Sequence, residues 1–227
     1  MRAMILAAGR GARMRPLTDH TPKPLLKVGG KALIEWHLLR LAQAKITNIV
    51  INHAWLGEQI EAYLGDGSRF GVHIQYSAEP TALETAAGIK KALPLLGEHP
   101  FLVISADVWT DWDCRVAPYL AQRLHQQQAL AHLLLVPNPS HHREGDFDLA
   151  HGYVQSKTST SSYTYSGMGV FSPRFFDQVN AEVPTPLREP LHQAIQQQKV
   201  LGSLYQGQWQ DVGTPERLQQ IEQSLAH

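Results

Sequence analysis

Five short apolar runs, at residues 4–8, 48–52, 73–77, 101–105 and 132–136, alternate with stretches whose apolar residues recur at helical spacing. The helical patterns cover 33–44, 58–64, 83–93 and 117–127. A strand that is apolar on both faces has to be covered on both, so the alternation predicts a mainly parallel sheet flanked by helices. The expected fold class is α/β, Rossmann-like. Sheets of this kind hold ligands beyond the carboxyl ends of their strands, where strand order reverses. The glycine turn after the first run and Asp107 after the fourth both fall there.

The pattern changes after Pro137. Residues 138–162 are polar, rich in His, Ser, Thr and Gly, and lack helical periodicity. They read as a loop and short strands of a smaller, substrate-facing lobe beginning near Gly145. Strands are expected again at 165–171, 201–205 and 209–212, and helices at 187–198 and 215–226. Thr214 is a good N-cap for the last helix and Pro215 suits its first position.

Formal net charge is zero and the pI near 7.2, so no broad basic face offers itself to nucleic acid. The charge is unevenly spread. The first 31 residues hold seven of the 20 Lys/Arg and one of the 20 Asp/Glu. Cys114 is the only cysteine, which excludes an intrachain disulfide and favours a reducing, cytoplasmic setting. The 12 histidines are scattered apart from His141 and His142, with no metal-ligand spacing, and read as surface or structural residues. The N-terminal apolar run is too short for a signal segment or a membrane span.

That run enters Gly9 and Gly11, interleaved with Arg10, Arg13 and Arg15 and followed by Lys23 and Lys27. Glycines let backbone N–H groups crowd an anion while fixed cations neutralise it. A dinucleotide fingerprint fails because Met14 stands where its third glycine belongs, and a Walker loop fails because Ala32 follows Gly30-Lys31. Alone, the turn fits helix packing with surface arginines nearly as well. Pro22 and Pro24 change this by fixing the backbone on both sides of Lys23, which suits a defined anionic target.

Carboxylates supply the other half. Asp107 ends an apolar run where an unpaired charge is costly, and Asp211 precedes Gly213 and Thr214. Each reads as a turn residue or as a ligand. Together they suit Mg²⁺, which takes one or two carboxylates plus substrate phosphates. No Ser-His-Asp set, nucleophile elbow or reactive cysteine stands out. Displacement at a nucleotide phosphorus by an already ionised sugar phosphate needs none of these.

The segments 6–14 and 22–26, then Asp107 to Asp111, Tyr165 to Phe171 and Trp209 to Arg217, resemble in order the blocks of the sugar-1-phosphate nucleotidyltransferases. The resemblance spans nearly the whole chain. Residues 82–85 with 107–113 are most similar to members that use UTP and N-acetylmuramate 1-phosphate in peptidoglycan recycling. Other substrates of the family (glucose or mannose 1-phosphate, phosphocholine) and a non-catalytic nucleotide-sugar sensor are the alternatives. The resemblance implies one domain over 1–227, with 1–136 binding nucleotide and 137–227 binding sugar and completing the sheet. It also implies a monomer or weak homo-oligomer with no nucleic-acid or membrane partner.

Site roles follow from the same resemblance. Leu6, Ala7, Ala8, Gly9, Gly11 and Ala106 would lie along the nucleotide, with Glu79 and Leu83 at the pyrimidine edge. Arg13 would hold the departing phosphates and Lys23 the α-phosphate, while Asp107 and Asp211 would bind Mg²⁺. Asp146, Tyr165 and Gly167 would line the sugar pocket. Ala106 stands where the family pattern has glycine, which predicts a slightly narrowed nucleotide pocket.

Overall fold

The computed structural model describes residues 1–158 and 162–225. In chain order, β1 (Arg2–Leu6) leads through the glycine loop and two 3-10 turns (Ala12–Met14, Lys23–Leu25) to β2 (Lys27–Val28) and β3 (Lys31–Ala32). Then come α1 (Leu33–Gln43), β4 (Asn48–His53), α2 (Gly57–Leu64), β5 (His73–Ala78), α3 (Glu84–Leu96) and β6 (Phe101–Ser105). They are followed by β7 (Val108–Thr110), α4 (Ala117–Gln126), β8 (Ala131–Val136), β9 (Phe147–Ala150), β10 (Tyr153–Ser156) and β11 (Thr164–Phe171). The chain closes with α5 (Arg188–Gln196), β12 (Val200–Leu204), β13 (Trp209–Asp211) and α6 (Pro215–Leu225).

Nine strands share one sheet in the order β5-β4-β1-β6-β11-β8-β12-β10-β9. The first four are parallel, β11 runs antiparallel between β6 and β8, and β12 returns parallel to β8. The chain builds outward from β1 to β5 and then crosses back to β6, so strand order reverses between β1 and β6. Alternate side chains of the central strands enter opposite cores. Ala3, Ile5, Ile49, Ile51, Leu102 and Ile104 pack on one side, and Met4, Val50, Phe101 and Val103 on the other. Burial of each larger side chain contributes about 1.5–3 kcal/mol, which is why these strands are apolar throughout.

A third cluster decides where the site forms. Met14, Leu26, Leu33, Trp109, Val212 and Ile221 pack together, which ties the glycine loop, the lysine segment, the ribbon of β7 and β13, and α6 into one unit. Met14, the residue that breaks the dinucleotide fingerprint, is fully buried there.

The expected strands and helices are present with shifted ends. The α3 helix runs on through Pro94 to Leu96, because a proline in the last turn costs only one helical hydrogen bond. The short strands expected after Gly145 are present as the hairpin β9–β10, which extends the main sheet through Tyr153 opposite Leu201. The expected strand at 209–212 is β13, and it leaves the main sheet to pair with the unanticipated β7. The end of the last expected helix, 226, lies outside the described residues.

Candidate active site

At the carboxyl ends of the central strands, Asn52 and Ser105 lie in register on either side of Leu6. Beyond them opens a hollow of about 500 Å³ lined by Leu6, Ala7, Ala8, Gly9, Gly11, Arg13, Lys23, Ala106 and Asp107. The loop backbone is fixed by the sheet. The Ala7 N–H donates to Asn52 Oδ1 at 3.0 Å, and the Ala106 N–H donates to the Leu6 carbonyl at 3.0 Å. Gly11 adopts φ +67, and a Cβ there would meet Thr18 Cγ2 at 3.1 Å and Lys23 Cβ at 3.3 Å. Only glycine makes that turn without strain.

Lys23 begins the 3-10 turn between its two prolines, and its side chain is only 10% exposed. Its Nζ lies 2.6 Å from Asp107 Oδ2. A charge this enclosed needs a partner, and the carboxylate provides it while staying open to the hollow.

A second hollow of about 370 Å³ adjoins the first and shares Arg13, Ser105 and Asp107 with it. Asp146, Tyr165, Gly167 and Asp211 line it, together with His141, His142 and Trp209. Gly167 sits at a register shift in β11 with φ +78, and a Cβ there would fall 2.9 Å from Ser105 Oγ. Asp146 is held on both oxygens: the Tyr165 N–H donates to Oδ2 at 2.8 Å, and His142 Nε2 lies 3.0 Å from Oδ1. Burial pushes the Tyr165 phenol well above its ordinary range, so it acts as a neutral hydroxyl.

The β7–β13 ribbon brings the two distant aspartates to the same place. Asp211 pairs with Val108 in register, and the Asp107 carbonyl accepts the Val212 N–H at 2.7 Å. At the other end of the ribbon, Asp111 accepts the Gln208 N–H at 2.8 Å and the Tyr205 hydroxyl. Arg217 Nη1 contacts both Asp211 oxygens, at 2.8 and 2.6 Å, and His141 Nε2 lies 2.9 Å from Oδ1. Gly213 makes room for this, since a Cβ there would fall 2.3 Å from Arg217 Nη2.

Among the described residues no group of three or more His, Cys, Asp and Glu could form a closed metal cage. Two carboxylates facing one hollow, each balanced by a cationic side chain, are the hard-oxygen donors that fit Mg²⁺ when substrate phosphates complete its shell.

Two residues assigned to the pyrimidine edge do not line the hollow. Glu79 is buried: its Oε1 accepts Asn52 Nδ2 at 2.7 Å and its Oε2 accepts the Leu83 N–H at 2.9 Å. Leu83 packs into the core, and Ala82, Glu84, Thr85 and Asn52 take the wall instead. Glu79 therefore orients Asn52, which in turn holds Ala7. Asn52 was open to the same reasoning as Asp107, being a polar residue at the end of an apolar run. Arg217, six residues after Asp211, closes the Trp209 to Arg217 block, whereas the contact of His141 with Asp211 depends on the fold and left no comparable signal.

A strand-end glycine loop with fixed cations, adjoining a second hollow that shares Arg13 and Asp107 with it, suits an enzyme that transfers a group from a nucleotide. The chain belongs to the nucleotidyl transferase family, whose profile matches residues 2–227. It is 52% identical over 225 residues to N-acetylmuramate alpha-1-phosphate uridylyltransferase of Neisseria meningitidis, covering 98% of this chain and 97% of that one. The Caulobacter vibrioides protein of the same name is 33% identical over 234 residues, covering 99% and 96%. Among solved structures, a Bacillus anthracis chain assigned as a glucose-1-phosphate thymidylyltransferase, in complex with sucrose, superposes with a TM-score of 0.86. That match has 25% identity and covers 99% of this chain and 95% of the other.

Proposed function

We propose that the chain transfers a uridylyl group from UTP to N-acetylmuramate 1-phosphate, giving the UDP-sugar and pyrophosphate. The observation that carries this reading is the shared wall of Arg13, Ser105 and Asp107 between two hollows, with the Lys23–Asp107 pair at the junction. The full-length likeness to two uridylyltransferases of that name supports the choice of both substrates.

An ionised oxygen of the sugar phosphate attacks the α-phosphorus of UTP and forms the new P–O bond. The bond from that phosphorus to the bridging oxygen breaks, and pyrophosphate leaves with the electron pair. The nucleophile arrives charged, so no general base is required. The loop amides from Ala8 to Gly11 and the Arg13 guanidinium receive the β- and γ-phosphates. Lys23 meets the charge that grows on the α-phosphate. Asp146, Tyr165 and Gly167 shape the sugar hollow. Asp107 and Asp211 would hold Mg²⁺, which when bound would supply positive charge to neutralise the substrate phosphates.

Every group invoked comes from one chain, so a monomer or weak homo-oligomer suffices. Residues 1–136 and 137–227 work as the two halves of a single catalytic domain. UTP and the product's use in cell-wall recycling set the work in the cytoplasm. Cys114 takes no part, since burial pushes its thiol up to about 12. No helix among the described residues is long and apolar enough to cross a membrane.

Pyrophosphate release with a panel of UTP, dTTP, CTP and GTP against N-acetylmuramate, glucose and mannose 1-phosphates tests the reading. The highest kcat/KM is expected for UTP with N-acetylmuramate 1-phosphate. Preference for another pair would reassign the substrates, and UDP-sugar binding without turnover would make the chain a sensor.

A further inference from the structure

Trp55 lies in the corner between β4 and α2, far in sequence from the glycine loop, yet its indole is the plate against which that loop is built. The Arg10 guanidinium carbon sits 3.5 Å from the centroid of the Trp55 ring. Arg10 Nη1 and Trp55 Nε1 both donate to the Thr18 carbonyl, at 3.1 and 3.2 Å. Thr18 is fully buried, and its hydroxyl donates back to the Gly11 carbonyl at 2.8 Å. One residue downstream of that knot, Arg15 Nε lies 2.7 Å from Asp19 Oδ1, and Gln59 Nε2 on α2 donates to the His20 carbonyl at 3.1 Å. Trp55 itself remains 38% exposed, so its ring is not a core side chain.

The corner is shaped to present it. Leu56 adopts φ +52, outside the range a leucine prefers, and Gly57 lies so close to His53 that a Cβ would fall 1.9 Å from its Nδ1. These features hold the tryptophan against residues 10–18 from outside the loop.

We propose that Trp55 is a positioning residue for the triphosphate: it preorders the glycine loop through Arg10 and Thr18 without touching substrate. A glycine-containing loop left free would have to order when nucleotide binds, and that entropy cost would appear as weaker nucleotide affinity. Of residues 10–18 only Arg13 borders the sugar hollow, so affinity for the sugar phosphate depends on the stack far less than affinity for UTP. The proposal rests on the uridylyltransferase reading given above.

The test compares wild type with Trp55→Ala and Trp55→Phe, by calorimetric UTP binding and by separate KM values for UTP and N-acetylmuramate 1-phosphate. Trp55→Ala is expected to raise the UTP Kd and KM about tenfold, the scale of a cation–π contact together with a hydrogen bond. The sugar-phosphate KM and kcat stay within twofold. Trp55→Phe keeps a ring face for Arg10 but no N–H, and raises both UTP constants about threefold. If the alanine variant fails to fold, the phenylalanine variant carries the test alone. Unchanged UTP constants, or a fall in kcat with both KM values unchanged, overturn the proposal. A wild type that neither gives heat with UTP at two temperatures nor releases pyrophosphate from it overturns the uridylyltransferase reading, and this inference with it. Normal wild-type binding with unaltered variants overturns the inference alone.

Discussion

Lys23 reaches Asp107 across 84 residues of sequence and places its Nζ 2.6 Å from the carboxylate Oδ2. The lysine side chain is 10% exposed and the carboxylate 39%, so the pair is lopsided, with the cation fixed and the anion open to the hollow. This is an arrangement in which the lysine stays put while new charge develops next to it. Replacing Lys23 by Ala should lower kcat by about 10²–10³, the scale seen when one fixed donor to a developing oxyanion is removed. Steady-state turnover under saturating UTP checks this, and a kcat within a few-fold of wild type would remove Lys23 from the chemistry.

Asp107→Asn keeps the shape but not the charge. We expect the Mg²⁺ concentration for half-maximal pyrophosphate release to rise tenfold or more, because a neutral amide is a poorer ligand for a hard dication. Manganese binding followed by EPR on the resting enzyme gives a readout free of turnover. Unaltered titrations would overturn the proposal that Asp107 is a Mg²⁺ ligand.

Gly167 combines φ +78 with a Cβ position 2.9 Å from Ser105 Oγ. Gly167→Ala should cost about 1–2 kcal/mol of stability from the left-handed backbone alone. Ser105 belongs to the wall shared by both hollows, so any shift there should also raise the KM for the sugar phosphate. Urea unfolding and sugar-phosphate kinetics on the same preparation test the two effects together. A variant as stable as wild type with an unchanged KM would show that the bulge tolerates a side chain.

His132 is fully buried in β8 with Nε2 3.0 Å from Ser203 Oγ, and burial lowers its pKa from 6.5 to about 4, with a smaller push from Arg123. His37 is held down to about 4 by burial and then by Arg40. Between pH 6.5 and about 4 the unfolded chain binds protons that the folded chain refuses. Stability from these groups is therefore complete above pH 6.5 and falls away as the pH drops towards 4. The loss is on the order of 3 kcal/mol for each histidine by the bottom of that window. His132→Gln should lose less stability than wild type between pH 7.5 and 4.5 in urea titrations; parallel losses would contradict it.

The central sheet was legible because its strands are buried on both faces and so read as unbroken apolar runs. Val108, Trp109 and Thr110 were not legible as a strand. Three residues make one only when a partner arrives, and theirs is Trp209–Asp211, roughly a hundred residues later. The β9–β10 hairpin is short and half-buried, so its composition resembles a polar loop. In the site, the residues quoted from the loop and the strand ends meet in two adjoining hollows. Glu79 does not, because the Asn52 amide and the Leu83 N–H, both buried, claim its two oxygens. Trp55 acts through contacts with a segment some forty residues away that no local spacing announces.

Because Arg13, Ser105 and Asp107 border both hollows, the two substrates of the proposed reaction would meet at these three side chains. A molecule that tethers a uridine fragment to a sugar mimic through a short anionic spacer would present the second half at millimolar effective concentration once the first is seated. Modest ligands for each chamber could then combine into a tight inhibitor, with the spacer length rather than either headgroup as the quantity to optimise.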